Sequence, residues 1–181
     1  PTSEDPVCML RCKDPDVPPQ TLSKWMGMPS RPRRVVYHPN EKYIIVLHEF
    51  KNVLQVYAIS EDGKIDSSCL QEISVIDKQA KGIALAAAAE LEATADGVLV
   101  SNRGEILVSS WVGSAESSIA RFVYDDGEDG KILKKVDPIT CSGPIRHFLR
   151  STKDPSRVFV GTAHPKTHVL TTLVKTPSGE L

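Results

Sequence analysis

Two side chains of opposite charge, Arg33 and Glu49, are spaced so that one hairpin would bring them together. Arg33 lies eight residues before Glu41, and Glu49 lies eight residues after it, so a ribbon folded about Glu41 places both on one face. A guanidinium group can hold a carboxylate or phosphate in a bidentate fork, and a neighbouring carboxylate can carry a proton. The same spacing also fits an ordinary cross-strand salt bridge, so it leaves both interpretations open.

The residues around this pair predict short antiparallel strands. Residues 35–37 and 43–47 are β-branched and aromatic runs on either side of a turn that reads His-Pro-Asn-Glu-Lys, and residues 53–58 form a third run. The same order of runs and turns returns over 98–124 and again over 143–173. The chain is therefore predicted to contain three related all-β units.

This repetition sets the expected organisation of the chain. Residues 1–30 are rich in proline, which fixes φ and removes a backbone donor, and they predict an irregular segment. If Arg33 and Arg146 are equivalent positions two units apart, each unit has about 56 residues, which exceeds the ~40 to 50 of common repeats and implies lengthened loops. The units themselves are predicted to divide residues 31–181 into 31–72, 95–137 and 143–181.

One lengthened connection is expected at residues 79–95. Eight of these seventeen residues are alanine, a composition that favours a helix. We therefore predict a helical insertion there. Glu90 would lie on that helix, where carboxylates are usually solvated, and its involvement in catalysis is the less favoured interpretation.

Charge and hydropathy exclude several classes of partner. The 22 lysines and arginines nearly balance the 23 aspartates and glutamates, so no global field attracts nucleic acid or an anionic membrane. The longest apolar run, Ile83–Ala89, is far shorter than the ~20 residues that a bilayer requires. The first thirty residues contain no apolar signal segment. These features predict a cytoplasmic protein with neither nucleic acid nor membrane as partner.

Cysteine usage and short motifs predict a protein without disulfides, metal or cofactor. The four cysteines lack the spacing of a disulfide framework, and no histidine pair accompanies them at zinc-finger spacing, so free thiols and no metal are expected. Nucleophile-elbow, phosphate-loop and zinc-protease motifs do not occur in the sequence, and no cofactor is predicted. The four cysteines are Cys8, Cys12, Cys69 and Cys141.

The segment from residue 31 to 58 carries a resemblance to a known family. It reads Arg-Pro-Arg-Arg-Val-Val-Tyr-His-Pro-Asn-Glu-Lys-Tyr, followed by Leu-His-Glu and an alternating Val-Leu-Gln-Val-Tyr run. This pattern resembles the lactonase family of seven-bladed β-propellers, which includes 6-phosphogluconolactonase and the fungal carboxymuconate cyclase. The resemblance covers roughly residues 30–173 and implies an all-β propeller with three to four blades in this chain.

A full ring of this family needs about twice the length of this chain. A set of three or four blades would leave open β edges, which proteins ordinarily cover or close. The resemblance therefore implies a fragment, a truncated paralogue, or an assembly in which self-association completes the ring.

The resemblance also assigns roles to the charged pair. In the muconate-cyclising relatives the residues that match Arg33 and Glu49 are catalytic, which implies a small anionic lactone or carboxylate as substrate. Three positions depart from the family pattern: Arg34 replaces a histidine, Glu41 replaces the turn glycine, and His48 replaces an asparagine.

Further substrate-binding residues are predicted in the second and third units. The relatives use another arginine after a Ser-Asn or Ser-Ser step, which here matches Arg103 by letters. By strand order it matches Trp111 instead, in which case the Asn-Arg-Gly step would be a hairpin turn. Arg146 and His147 repeat the Arg-His theme in the third unit. The family's histidine from an earlier blade has no counterpart upstream of Arg31.

Two functions follow from this set. The first is a lactonase or cycloisomerase in which Arg33 binds the substrate anion and Glu49 transfers a proton. The alternative is a noncatalytic propeller-type binding module that has lost part of the catalytic set.

Overall fold

The computed structural model consists of β-strands and turns, and no helix occurs among the residues it describes. Those residues are 7–11, 20–25, 32–49, 51–76, 84–94, 96–108, 111–114, 117–125, 130–141, 145–154, 156–164 and 167–174. The strands are β1 Val7–Arg11, β2 Gln20–Trp25, β3 Pro32–Tyr37, β4 Tyr43–His48, β5 Val53–Ile59, β6 Ile65–Ser74, β7 Ala84–Ala93, β8 Gly97–Val108, β9 Trp111–Ser114, β10 Ser117–Tyr124, β11 Leu133–Cys141, β12 Ile145–Arg150, β13 Arg157–His164 and β14 Thr167–Val174.

The strands form four antiparallel sheets in chain order. A two-stranded sheet, β1–β2, precedes a four-stranded sheet in the order β3-β4-β5-β6. The next sheet has the order β7-β8-β10-β11, with β9 paired to the far end of β8, and the last has the order β12-β13-β14. The first strands of the last three sheets, β3, β7 and β12, lie side by side, and we call them the inner strands. The prediction of an all-β fold is confirmed.

The hairpin of β3 and β4 forms as its turn residues predict. The backbone N–H of Glu41 donates to the carbonyl of His38 at 2.9 Å, and the Asn40 Oδ1 accepts from the N–H of Lys42 at 3.0 Å. These bonds close the turn between the two apolar runs, as Asn side chains commonly do. Glu41 itself has a φ of +58°, a left-handed conformation in a residue that carries a Cβ.

The prediction of a helix over residues 79–95 is wrong for the part of this segment that the structure describes. Residues 84–93 form the strand β7, which pairs with β8 along most of its length, while residues 79–83 and 95 lie outside the described part of the chain. Alanine favours a helix only weakly, and the ladder that β8 offers outweighs this preference. Ala88 is completely buried in this strand, and its surroundings are packed too closely to admit a larger side chain.

The hairpin turn considered for the Asn-Arg-Gly step at 102–104 is also wrong. Strand β8 runs without interruption from Gly97 to Val108, with β7 along one side and β10 or β9 along the other. All three residues of this step pair with β7, and Asn102 also pairs with β10, so the backbone continues as a strand.

Two apolar layers hold the sheets face to face. Alternate residues of the β7–β11 sheet point to opposite sides, as the pleat requires. Val98 and Val100 pack toward the β3–β6 sheet, whereas Leu99 and Ile119 pack toward the β12–β14 sheet. The first layer contains Ile45, Leu47, Leu54, Val56, Val98, Val100, Phe122 and Leu133, and the second contains Leu99, Ile119, Ile145, Phe148, Val158 and Val160.

All three inner strands carry a bulge at the same place. The pairing shifts at Arg33 in β3, at Arg146 in β12, and between Ala88 and Leu91 in β7. Bulges re-aim the side chains beside them. The last pairs before the shifts involve Pro32, Ala88 and Ile145. The residues two positions further on, Arg34, Glu90 and His147, are therefore equivalent in the three sheets.

Candidate active site

The structure brings Arg33 and Glu49 together, as their spacing predicts. The Arg33 Nη1 donates to the Glu49 Oε2 at 3.0 Å. Arg33 is the bulged residue of β3, and Glu49 directly follows β4, so both side chains belong to the same end of one two-stranded ribbon. The arginine side chain is 34% exposed and the glutamate 18%, so solvent and small solutes reach the guanidinium.

Arg34 makes a second ion pair, with a residue of the next sheet. Its Nη2 donates to both carboxylate oxygens of Glu90, at 2.9 and 3.1 Å, and its Nε donates at 3.3 Å. Such a fork fixes the carboxylate in orientation as well as in position. Glu90 is only 7% exposed, and a buried carboxylate requires a counter-charge of this kind.

His147 joins the same carboxylate from the third sheet. Its Nδ1 lies 3.3 Å from the Glu90 Oε2, and its side chain is 66% exposed. The backbone N–H of Glu90 donates to the hydroxyl of the buried Ser101 at 3.0 Å, which fixes the strand beneath the carboxylate. We call Arg34, Glu90 and His147 the Glu90 cluster. It connects three successive inner strands through one carboxylate.

A further carboxylate lies two residues along β7. Glu92 is 3.9 Å from the Arg150 Nε, and both side chains are partly exposed. Burial raises the pKa of Glu92, and the nearby Arg150 and His147 charges oppose that shift. Strand β7 therefore carries two carboxylates, which contact basic side chains of β3 and β12.

Strand register decides where the second-unit arginine belongs. Pro32 pairs with His48 and Ala88 pairs with Asn102, each immediately before a bulge, so Arg103 follows Asn102 as Glu49 follows His48. Strand order thus places Arg103 at the position equivalent to Glu49, and Trp111 lies on β9, opposite Val108. The assignment of a substrate-binding role to Arg103 or to Trp111 stays a prediction. The side chains of Arg103 and Trp111 lie outside the described part of the structure.

The two residues predicted in the third unit, Arg146 and His147, have different surroundings. Arg146 is the bulged residue of β12 and is equivalent to Arg33, and its side chain is exposed. His147 belongs to the Glu90 cluster. The structure thus connects His147 to Arg34 through Glu90. Arg146 directly precedes His147 in β12.

Sequence reasoning missed the importance of Glu90. The expected helix would have left it in solvent, and Arg34 counted only as a departure from a family pattern. A signal was present in the spacing, because Arg34 and Glu90 are 56 residues apart and Glu90 and His147 are 57 apart, which matches the repeat. Aligning the units on this period places the three residues in one register.

Neither a cluster of metal ligands nor a membrane-spanning helix occurs among the described residues. No group of three or more histidine, cysteine, aspartate or glutamate side chains there has the geometry to hold a metal ion. Cys69 is an exposed free thiol, as predicted, and the side chains of the other three cysteines lie outside the described part. None of the described residues belongs to a helix with the length and apolar character needed to cross a membrane.

The family follows from a sequence comparison. The family model for the seven-bladed β-propeller lactonases matches residues 19–179, so this chain belongs to that family. No curated protein sequence matches the chain significantly. The resemblance seen in the first hairpin therefore extends over nearly the whole chain.

Solved structures of the same fold are similar to the chain over much of its length. A periplasmic gluconolactonase of Pseudomonas aeruginosa is 20% identical with a TM-score of 0.64, and covers 88% of this chain and 40% of its own. A candidate 6-phosphogluconolactonase of Bacteroides uniformis is 19% identical with a TM-score of 0.71, over 99% of this chain and 47% of its own. A protein of Lactobacillus plantarum is also 19% identical with a TM-score of 0.71. The chain spans less than half the length of these structures.

Proposed function

We propose that this chain is the part of a lactonase-family propeller that binds a small anionic lactone, with Arg33 as the anion-binding group and Glu49 as a proton carrier. The observation that supports this proposal is the 3.0 Å contact between the two side chains at one end of the β3–β4 ribbon. The same arrangement is expected of a site in which a substrate anion displaces the carboxylate from the guanidinium. Glu49 then becomes available for proton transfer.

The substrate class follows from the charge that Arg33 can accept. A guanidinium fork binds a phosphate or a carboxylate with similar geometry. The solved relatives include a gluconolactonase and a candidate 6-phosphogluconolactonase. An anionic sugar lactone is therefore the first substrate class to test, and a carboxymuconolactone is the second. The cytoplasmic location stays a prediction.

Turnover by purified protein tests the proposal. Hydrolysis of 6-phosphogluconolactone and cycloisomerisation of 3-carboxymuconate are measured for the wild type, Arg33→Ala and Glu49→Gln. Loss of the anion-binding group should raise KM, and loss of the proton carrier should lower kcat by about 100-fold or more. A matched control is Lys64→Ala, which removes one partner of the exposed Lys64–Asp62 pair at a remote turn. Full activity in both site variants would contradict the proposal.

The alternative function is anion binding without turnover. It is favoured by one observation: the described carboxylates at this end of the sheets, Glu49 and Glu90, both already pair with arginine. A protein of that kind would bind 6-phosphogluconate, and Arg33→Ala would abolish the binding, but no lactone would be consumed. Calorimetry with 6-phosphogluconate beside the turnover assay distinguishes the two functions.

A further inference from the structure

Opening a lactone ring with water moves two protons. One leaves the attacking water, and one reaches the ring oxygen as its bond to the carbonyl carbon breaks. A single carboxylate such as Glu49 assists one of these transfers well, since it cannot hold and release a proton in the same instant. The proposed function therefore leaves room for a second proton carrier, and the inference below rests on that function.

His147 has the placement that such a carrier needs. Its Nδ1 is anchored 3.3 Å from the Glu90 Oε2, so its Nε2 lies on the opposite side of the ring from the carboxylate. The His147 side chain is 66% exposed, although the Glu90 side chain that it contacts is only 9% exposed. One edge of the imidazole is thus held by the protein, and the other is accessible to a bound molecule.

Glu90 fixes the chemistry of that ring. A carboxylate that accepts the Nδ1 proton selects the tautomer in which Nε2 exchanges protons, and it stabilises the imidazolium when Nε2 is protonated. Arg34 holds the same carboxylate through its fork at 2.9 to 3.3 Å and supplies its counter-charge. Arg34 and Glu90 therefore orient His147 without touching the substrate.

The anion-binding group lies next to this assembly. Arg33 and Arg34 are consecutive in β3, and consecutive Cα atoms are about 3.8 Å apart. The bulge directs their side chains to different carboxylates. Arg33 contacts Glu49 of the same sheet, and Arg34 contacts Glu90 of the next sheet. A substrate anion on Arg33 is thereby placed beside the Glu90 cluster.

We propose that His147 is the second proton carrier of this site and that Glu90 and Arg34 are its positioning residues. Glu49 takes a proton from water while the water oxygen bonds to the lactone carbonyl carbon. The ring C–O bond then breaks, and the imidazolium of His147 gives its Nε2 proton to the leaving oxygen. Lactone and water become a hydroxy acid. Glu49 releases its proton to solvent, and His147 regains one from solvent.

Kinetics of the purified wild type, His147→Ala, Glu90→Gln and Asp62→Asn test this assignment. His147→Ala should lower kcat about 100-fold with KM changed by less than about twofold, and added imidazole should restore part of kcat. Glu90→Gln should lower kcat in the same direction. Asp62→Asn, in the remote turn before β6 where Asp62 pairs with Lys64, is the control and should keep the wild-type kcat.

The outcomes separate this inference from the proposed function. If the wild type consumes no lactone, the proposed function fails. If the wild type is active and His147→Ala keeps its kcat, the inference fails and the proposed function stands. A loss of activity that imidazole does not restore at all would indicate a structural link between sheets and would also overturn the inference.

A spectroscopic measurement tests the positioning role without activity. Nitrogen-15 NMR of the wild type should show the neutral His147 ring protonated at Nδ1, and Glu90→Gln should shift this population toward protonation at Nε2. A wild-type ring protonated mainly at Nε2 would overturn the role of Glu90. Because His147 is largely exposed, His147→Ala provides the resonance assignment without placing the fold at risk.

Discussion

The guanidinium of Arg34 holds the carboxylate of Glu90 on the next sheet, and the two residues occupy equivalent positions at the bulges of their strands. His147 reaches the same carboxylate from the third sheet, so the inner strands on both sides of β7 contact it. Apolar packing between sheets carries little directional information, whereas a forked ion pair fixes orientation. The pair therefore sets the relative register of neighbouring sheets.

A double-mutant cycle on Arg34→Ala and Glu90→Ala should reveal this coupling. We expect an interaction energy of about 1 to 3 kcal/mol from urea unfolding, because removing one partner leaves a largely buried charge with less compensation. The matched cycle is Arg33→Ala with Glu49→Ala, in which the carboxylate is 18% exposed against 9% for that of Glu90. That cycle should give less than about 1 kcal/mol. Equal coupling in the two cycles would contradict this prediction.

Gly97 should not tolerate a side chain. A Cβ at this position would lie 1.9 Å from the carbonyl oxygen of Phe122, a backbone atom that belongs to the ladder between β8 and β10. Gly97→Ala should therefore lower the free energy of unfolding by about 3 kcal/mol or more. Gly161→Ala is the control, since its Cβ would meet its nearest atom, the His147 carbonyl oxygen, at 3.7 Å. Similar losses in both variants would contradict a steric cause.

Replacing Glu41 with glycine should make the protein more stable. Its φ of +58° places a residue with a Cβ in the left-handed region, which costs roughly 1 kcal/mol, and glycine avoids this cost. Glu41→Gly should therefore raise the free energy of unfolding by up to about 1 kcal/mol, less the added entropy of the unfolded chain. Glu61→Gly, in the turn before β6 and without a positive φ, is the control and should not stabilise the protein.

The parts of the fold that sequence reasoning predicted are local ones. The β3–β4 hairpin follows from two apolar runs and a Pro-Asn turn, and this hairpin brings Arg33 within reach of Glu49. Both features depend on residues of one hairpin, at most 16 positions apart in the sequence. Local turn chemistry was sufficient there.

The parts that it missed depend on distant residues. The alanine-rich segment 84–93 is a strand because β8 pairs with it, and the sequence of the segment alone favours the opposite conformation. Glu90 became important only through partners 56 and 57 residues away. Likewise, the Asn-Arg-Gly step continues as a strand because β7 pairs with all three of its residues. Tertiary pairing overrode local propensity in each case.

Gln71 should contribute more to stability than its position on β6 suggests. Its Nε2 donates to the carbonyl of Leu133 at 2.6 Å, and its Oε1 accepts from the N–H groups of Ile132 and Leu133 at 3.0 and 2.9 Å. Gln71→Ala leaves these backbone groups without that partner and should cost about 1 to 3 kcal/mol. The neighbouring Glu72→Ala removes an exposed hydrogen bond that Gln55 donates, and it should cost less because water replaces that bond. A larger loss in Glu72→Ala than in Gln71→Ala would contradict the prediction.

His48 should make stability depend on pH in mildly acidic solution. The side chain is 1% exposed, and burial, with the Lys51 charge adding to it, lowers the pKa of His48 to about 4, while Glu72 opposes the shift. In the unfolded chain a histidine has a pKa of about 6.5, so between these values the unfolded state binds a proton that the folded state does not. The free energy of unfolding should therefore rise with pH through this window and fall as pH drops from about 6.5 to about 4, by on the order of 2 to 3 kcal/mol. Urea unfolding of the wild type and His48→Asn at several pH values measures this term, because carboxylate titrations contribute to both proteins alike. The difference in unfolding free energy between the two proteins should change across the window, and a difference independent of pH would show that His48 is not buried in its neutral form.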